Sequence, residues 1–192
     1  MWKHLLPWAA SGALLLAWLA WTFNRLVRLR NRTGEAFSGM DVQLKRRHDL
    51  VPNLVETVKG YARHEQQTLE EVVAARRAAE AAAALPDRAA REEALGASVR
   101  RILLLAEAYP DLKADRSFRS LQTDLAAIEE ALQYARRYYN GTVRDYNTAQ
   151  QRFPTLLVAR LLGHRPRTFF ELDDAAERSV PRLDLDPGAA GA

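Results

Sequence analysis

The sequence predicts an all-α protein: an N-terminal transmembrane helix followed by an antiparallel up-down four-helix bundle. Three observations carry that reading. The run 5–23, "LLPWAASGALLLAWLAWTF", holds no charged residue. The stretch 118–139 places apolar side chains at unbroken steps of three and four. Glycine and proline are few (9 and 8), cysteine is absent, and alanine, leucine, arginine and glutamate dominate, which favours helix over strand.

The first element is the apolar run. Its 19 residues, at about 1.5 Å each, reach roughly 29 Å, close to the hydrocarbon thickness of a bilayer. Trp2, Trp8, Trp18 and Trp21 lie towards its ends, where amphipathic rings settle at the headgroups. An uncleaved anchor is preferred to a cleaved signal peptide, because tryptophan and leucine crowd every cut site and no loop follows. Lys3 precedes the run, whereas Arg25, Arg28, Arg30 and Arg32 follow it. The positive-inside rule then puts a short N-terminus outside a cell membrane and the bulk of the chain in the cytoplasm. The expected division is 1–24 anchor, 25–172 bundle with a C-terminal juxtamembrane segment, and 173–192 a disordered acidic, Pro-Gly-Ala-rich tail.

A helix from Asn24 to Leu50 is expected next, with Phe37, Met40 and Leu44 on one face. Pro52 has no N–H and biases Val51 away from the α region, so the chain is expected to turn there and start a second helix. That helix carries Leu54, Val58, Tyr61, Leu69, Val72 and Arg76 on one face and ends at Pro86-Asp87. The third runs from Arg88 to Ala108, and the break "YPDLKADRS" offers Asp115 or Ser117 as N-cap of the fourth. In the fourth, Phe118, Leu121, Leu125, Ile128, Leu132, Ala135 and Tyr139 form the seam, extended by Val143 and Tyr146. With these boundaries the two returning helices exceed the outgoing pair by roughly 33 Å. Asn140-Gly141 is the expected bend that absorbs the excess. Beyond it, 153–163 either lies on the membrane surface or caps the bundle core.

Reaction chemistry is sparse. Disulfides and thiolate metal sites are excluded without cysteine. The residues three before His48, His64 and His164 are Lys45, Tyr61 and Leu161, so no Glu-x-x-His pair exists for a di-metal bundle. His64-Glu65 opens like a zincin motif, but Thr68 stands where the second histidine belongs. Ser117 and Ser120 have no histidine nearby in sequence. Neither enzymatic activity nor a cofactor is expected. The net charge of +4 is spread among interleaved acids, so no nucleic-acid partner is expected. The dense run "DVQLKRRHDLVPN" reads as a turn, its basic side chains complementing a helix C-terminus at the end farthest from the membrane.

The string "RTGEAFSGMDVQLKRRHDLVPNLVETVKGYARHE" resembles the signature region of the LemA family of bacterial membrane proteins. So do "LAEAYPDLKAD", the run from "FRSLQTDL" to "LLVARLLG", and "FFEL", in that order. The likeness covers roughly Leu26 to Leu172; His164-Arg165 departs from it, since the family tends to carry an aromatic there, and the tail falls outside it. The resemblance implies one membrane helix and a cytoplasmic four-helix bundle. It implies no assigned activity, cofactor or functional residue, and gene neighbours that point to envelope maintenance.

The function expected is therefore a membrane-anchored, non-enzymatic interaction or scaffolding protein. Its partners would be the bilayer, through 5–23, and an unidentified membrane or envelope protein; the oligomeric state is open. Candidate partner contacts are Arg46, Arg47, His48, Asn53, Tyr138 and Tyr139. The alternative is a small-ligand, lipid or metal binding module, which requires His48, Tyr61, His64 and Glu65 to converge.

Overall fold

The computed structural model describes residues 2–62 and 64–170, with side chains from residue 8 onward. The tail expected at 173–192, and the side chains of Leu5, Leu6 and Pro7 in the expected anchor, lie outside it. All the regular elements among the described residues are helices, with no strand. They form α1 (Trp2–Tyr61), α2 (Gln66–Ala81), α3 (Leu85–Leu105), a 3₁₀ turn at Ala106–Ala108, α4 (Pro110–Ala114), α5 (Arg116–Gln151) and α6 (Thr155–Leu161). Among the described residues, no helix is long and apolar enough to cross a membrane.

The chain does not turn at Pro52. Helix α1 passes straight through it and ends at Tyr61. A proline inside a helix leaves the carbonyl four residues back without its N–H donor. Here that carbonyl belongs to His48, and the Nε–H of Arg76, from α2, donates to it at 2.8 Å. The missing hydrogen bond is thus supplied by a side chain 24 positions away, and the helix survives.

This correction removes the length conflict. Moving the first reversal from Pro52 to Ala62–Glu65 transfers roughly ten residues from the returning limb to the outgoing one. Each residue counts twice, which takes away about 30 Å. From Asn24 to Tyr61 α1 reaches roughly 57 Å and α5 about 54 Å, so the two run side by side. No bend at Asn140-Gly141 is needed, and α5 is continuous there. The shorter α2 and α3 form a hairpin, and α2 also packs against α1.

Local signals explain the ends. Asp115, one of the two N-caps expected, accepts a hydrogen bond from the Phe118 amide at 2.9 Å. Pro86 occupies the first turn of α3, where no N–H is missed. Gly163, at φ 69°, closes α6: its amide bonds the Arg160 carbonyl and the His164 amide reaches back to Ala159. At the far end two tyrosines tie the turns together. The Tyr61 hydroxyl donates to Asp115, and that of Tyr109 donates to Glu65.

Three apolar layers stack along the rod. The distal one joins Val51, Leu54 and Val58 of α1 to Val72 of α2, Leu95 and Ile102 of α3, Leu112 of α4 and Phe118 of α5. The middle one holds Met40 and Leu44 with Ala89, Leu132, Val143 and Phe170. The third joins Leu26 to Ala149, Val158 and Ala159, with Trp18, Leu19 and Leu29 against them. On α5 every seventh residue, Phe118, Leu125, Leu132, Tyr139 and Tyr146, is buried, while Leu121, Ile128 and Ala135 are half-buried.

Replacing Arg76 by alanine should lower the unfolding free energy by about 1–3 kcal/mol, because the His48 carbonyl loses its donor. In a Pro52→Ala background the loss should shrink to a fraction of that, since the new backbone amide at position 52 restores the helical bond. Urea melts of the four variants check this; equal losses in both backgrounds would assign Arg76 a role through its Glu80 ion pair alone.

Candidate functional site

Between the distal and middle apolar layers lies a slice of charge. Once α1 continues through Pro52, its inward positions run Met40, Leu44, Arg47, Val51, Leu54 and Val58 in steps of four and three. Arg47 therefore occupies a seam position, and His48 flanks it. On α3 the seven-residue row Leu85, Glu92, Val99, Ala106 puts Glu92 in the seam, and on α5 Glu129 and Arg136 share another such row.

Arg47 is 3% exposed and Glu92 0%. One Arg47 Nη donates to the Glu92 carboxylate at 2.6 Å and to its carbonyl at 2.8 Å, and the other to Glu129 at 3.2 Å. His48 Nε2 lies 2.9 Å from the second Glu92 oxygen, and its Nδ1 is 3.9 Å from Glu80. Glu80 in turn pairs with Arg76 at 2.8 Å. The absent side chain of Gly96 makes room for this: a Cβ there would sit 3.2 Å from Arg47 Nη1. Burial pushes the Glu92 carboxyl up, but the contacts from His48 and Arg47 outweigh it and hold the group below the ordinary glutamate value.

Arg136 completes the slice. It is 4% exposed, and its nearest carboxylate, Glu93, stands at 3.9 Å. Its three guanidinium nitrogens have no hydrogen-bond partner, and the group lies over the Phe170 ring at 5.2 Å. Burial and repulsion from Arg47 lower its pKa. Phe170 is held there by a strap, residues 164–170, laced onto α5 by two Tyr-Asn pairs seven residues apart. Asn140 exchanges both amide hydrogen bonds with the Phe170 backbone, and Asn147 does the same with Arg167. The Tyr139 hydroxyl donates to the Thr168 carbonyl. That of Tyr146 lies 2.8 Å from His164 Nδ1, and the imidazole meets the Tyr146 ring edge-on at 6.0 Å. His164 thus sits as an aromatic would, and burial lowers its pKa, favouring the neutral ring.

Of the six residues expected to meet a partner, Arg46, Asn53 and Tyr138 face solvent. Arg47, His48 and Tyr139 are turned inward, the first two into the charged slice and the third onto the strap. The run expected to be a turn at the far end of the bundle is mid-helix, about 20 Å short of the end of α1. Tyr138 forms a surface group of its own, stacked on Tyr134 at 6.4 Å with the Arg32 Nε–H donating to its hydroxyl. The ligand set of the alternative reading does not assemble. Tyr61 lies about 20 Å along α1 from His48, and both Tyr61 and His64 are exposed.

Comparison with known families matches residues 36–185 to the LemA family. This chain belongs to the LemA family. The match extends past Leu172 into the acidic tail, which the residue-level resemblance leaves out. Among similar proteins, Protein LemA of Metamycoplasma hominis is 25% identical over 166 residues, 85% of this chain and 73% of that one. Magnetosome proteins MamQ 1 and MamQ 2 of Paramagnetospirillum magneticum are each 20% identical over 196 residues, 88% of this chain and 72% of theirs. Arg47, His48, Glu92 and Arg136 all fall within the matched LemA region.

Chemically, the slice is closed. One Glu92 oxygen is held by Arg47 and the other stands 2.9 Å from His48 Nε2, both out of reach of solvent, and no group of three ligating side chains that could hold a metal stands among the described residues. We infer that the slice fixes register, since these charges meet in the observed alignment of α1, α3 and α5. Glu92→Gln should cost about 3–5 kcal/mol, whereas the double change Arg47→Met with Glu92→Leu should recover most of it. The pH dependence has a definite sign. A depressed carboxylate stabilises the fold fully above the ordinary glutamate value of 4.5 and loses that contribution as pH falls through its folded value. The gap between wild type and Glu92→Gln should therefore narrow between pH 7 and 3 in urea titrations, and a constant gap would contradict it.

Proposed function

We propose that this LemA-family chain is a membrane-anchored, non-enzymatic post: an antiparallel up-down four-helix bundle held off the bilayer by its own first helix. One observation carries the reading. From residue 8 to residue 17 α1 is solvent-exposed on every side, with Trp8, Leu14, Leu15 and Leu16 uncovered, and Trp21 and Phe23 stay uncovered beyond it although Trp18, Leu19 and Thr22 already pack inward. Apolar surface of that extent needs a partner, and lipid accepts a helix that is apolar on every side. The anchor of this reading starts at Leu5. The arginines that follow it orient the short N-terminus outward and the bundle into the cytoplasm.

The bundle's role in this reading is presentation. Arg46, Asn53 and Tyr138 stand on its surface at three heights, and a tether raises their local concentration against a membrane or envelope protein. A second reading has one observation in its favour. An open groove of about 910 Å³ between α1 and α2, floored by Val55, Leu69 and Val73 and rimmed by Glu56, Lys59 and Arg77, has room for a small amphipathic ligand.

Membranes from cells making the full chain, washed with alkaline carbonate, should retain it in the pellet. A chain carrying Leu15→Glu and Leu16→Lys should move to the supernatant with unchanged helicity and melting. Photo-crosslinkers at Arg46, Asn53 and Tyr138 should then hold one partner in the anchored chain and lose it in the released one. Release of the wild type by carbonate would contradict the anchor, and identical crosslinks in both chains would contradict its role in capture.

A further inference from the structure

Helix α6 has two apolar faces, and the protein covers only one of them. Thr155, Val158 and Ala159 are buried against Leu26 and Ala149, while Phe153 (81% exposed), Leu157, Leu161 (85% exposed) and Leu162 are bare. Leu157 and Leu161 are spaced by four, one above the next on α6, and Phe153 stands in the turn just before the helix.

The height of α6 along α1 identifies what meets the bare face. The cluster that buries Val158 and Ala159 also takes in Trp18 and Leu19, and α6 contacts α1 directly. Those two residues stand about 6–8 Å before Phe23, the last residue of the anchor. A helix packed at that level lies at the boundary between headgroups and acyl chains, the depth at which interfacial helices bury their apolar side. Charge agrees. The stretches 24–34 and 146–170, which flank this level, carry Arg25, Arg28, Arg30, Arg32 and Arg152, Arg160, Arg165, Arg167, and no acidic residue. Anionic headgroups attract such a belt.

We propose that α6 is a membrane-interface helix, its Leu157–Leu161 face and the Phe153 side chain of the turn before it inserted among anionic lipids beside the anchor. The proposal rests on the anchored reading above. The bundle is then gripped at two points, the spanning part of α1 and the α6 wedge, so that it stands in one orientation instead of swivelling. The residues that seat α6 on α1 and α5 position it, and the arginines neutralise the headgroups around it.

The absence of cysteine allows single cysteines at 153, 157 and 161 to be labelled with nitrobenzoxadiazole in the full chain. Two further sites serve as references: Leu15 in the anchor, and Leu104, which is exposed on α3. After reconstitution into vesicles of phosphatidylcholine and phosphatidylglycerol carrying spin-labelled acyl chains, labels at 153, 157 and 161 should be quenched roughly three-fold or more beyond Leu104. Quenching at Leu15 but not at the α6 sites would overturn the α6 proposal and leave the anchor standing. Absence of quenching at Leu15 as well would overturn both. A blue-shifted but unquenched α6 label would mean that protein covers this face, and would also overturn the proposal.

Discussion

The arrangement of the helices rests on one hydrogen bond that a proline makes necessary. Pro52 strips the His48 carbonyl of its helical donor, and Arg76 replaces it from the neighbouring helix. With that bond in place α1 is a single rod, and its length then dictates the rest. It matches α5, leaves α2 and α3 as a shorter hairpin at the far end, and brings α6 down beside Trp18 and Leu19. It also turns Arg47 and His48 inward. A chain that reversed at Pro52 would carry the same residues at an exposed corner.

The charged slice follows from that inward turn. Burying Arg47 and Glu92 is expensive in solvation, and a well-packed apolar pair in their place would be nearly as stable. The compensation is specificity. Apolar seams with steps of three and four can slide by a heptad, whereas a carboxylate that must meet Arg47 and His48 at once cannot. Arg136 belongs to the same layer but is held by less, with a ring over one face and Glu93 at 3.9 Å. The strap that carries Phe170 is the other half of this arrangement. Its two Tyr-Asn clamps fasten the extended backbone to α5.

Much of the helical order is legible in the sequence because it rests on local rules. The α5 seam and the Asp115 cap each need only a few neighbouring residues and are found where expected, whereas the break expected at Pro86-Asp87 falls between Ala81 and Leu85, with Pro86 in the first turn of α3. The failures share the opposite property. Pro52 is a helix breaker by any local rule, and the residue that overrides it is 24 positions away. Arg47 and Glu92 read as surface charge because burial of an ion pair depends on both partners, 45 positions apart. A signal is present even so: both residues continue rows of buried apolar positions at helical spacing. The repeat Tyr139-Asn140 and Tyr146-Asn147 is visible too, seven residues apart, yet only the strap gives it meaning. For 153–163 the sequence offers a choice between capping the core and lying on the membrane; α6 buries one side against the core and leaves the other bare.

The continuity of α1 through Pro52 is tested most directly by a distance. Spin labels at Ser38→Cys and Lys59→Cys, both exposed positions in a chain with no other cysteine, stand 21 residues apart. In a continuous helix they are separated by about 32 Å, whereas a reversal at Pro52 would bring them to roughly 15 Å. A single distance distribution near the longer value in double electron–electron resonance is the expected result. A dominant population at the shorter value would put the turn back at Pro52, return Arg47 and His48 to the surface, and contradict the rod on which the bundle, the charged slice and the placement of α6 all depend.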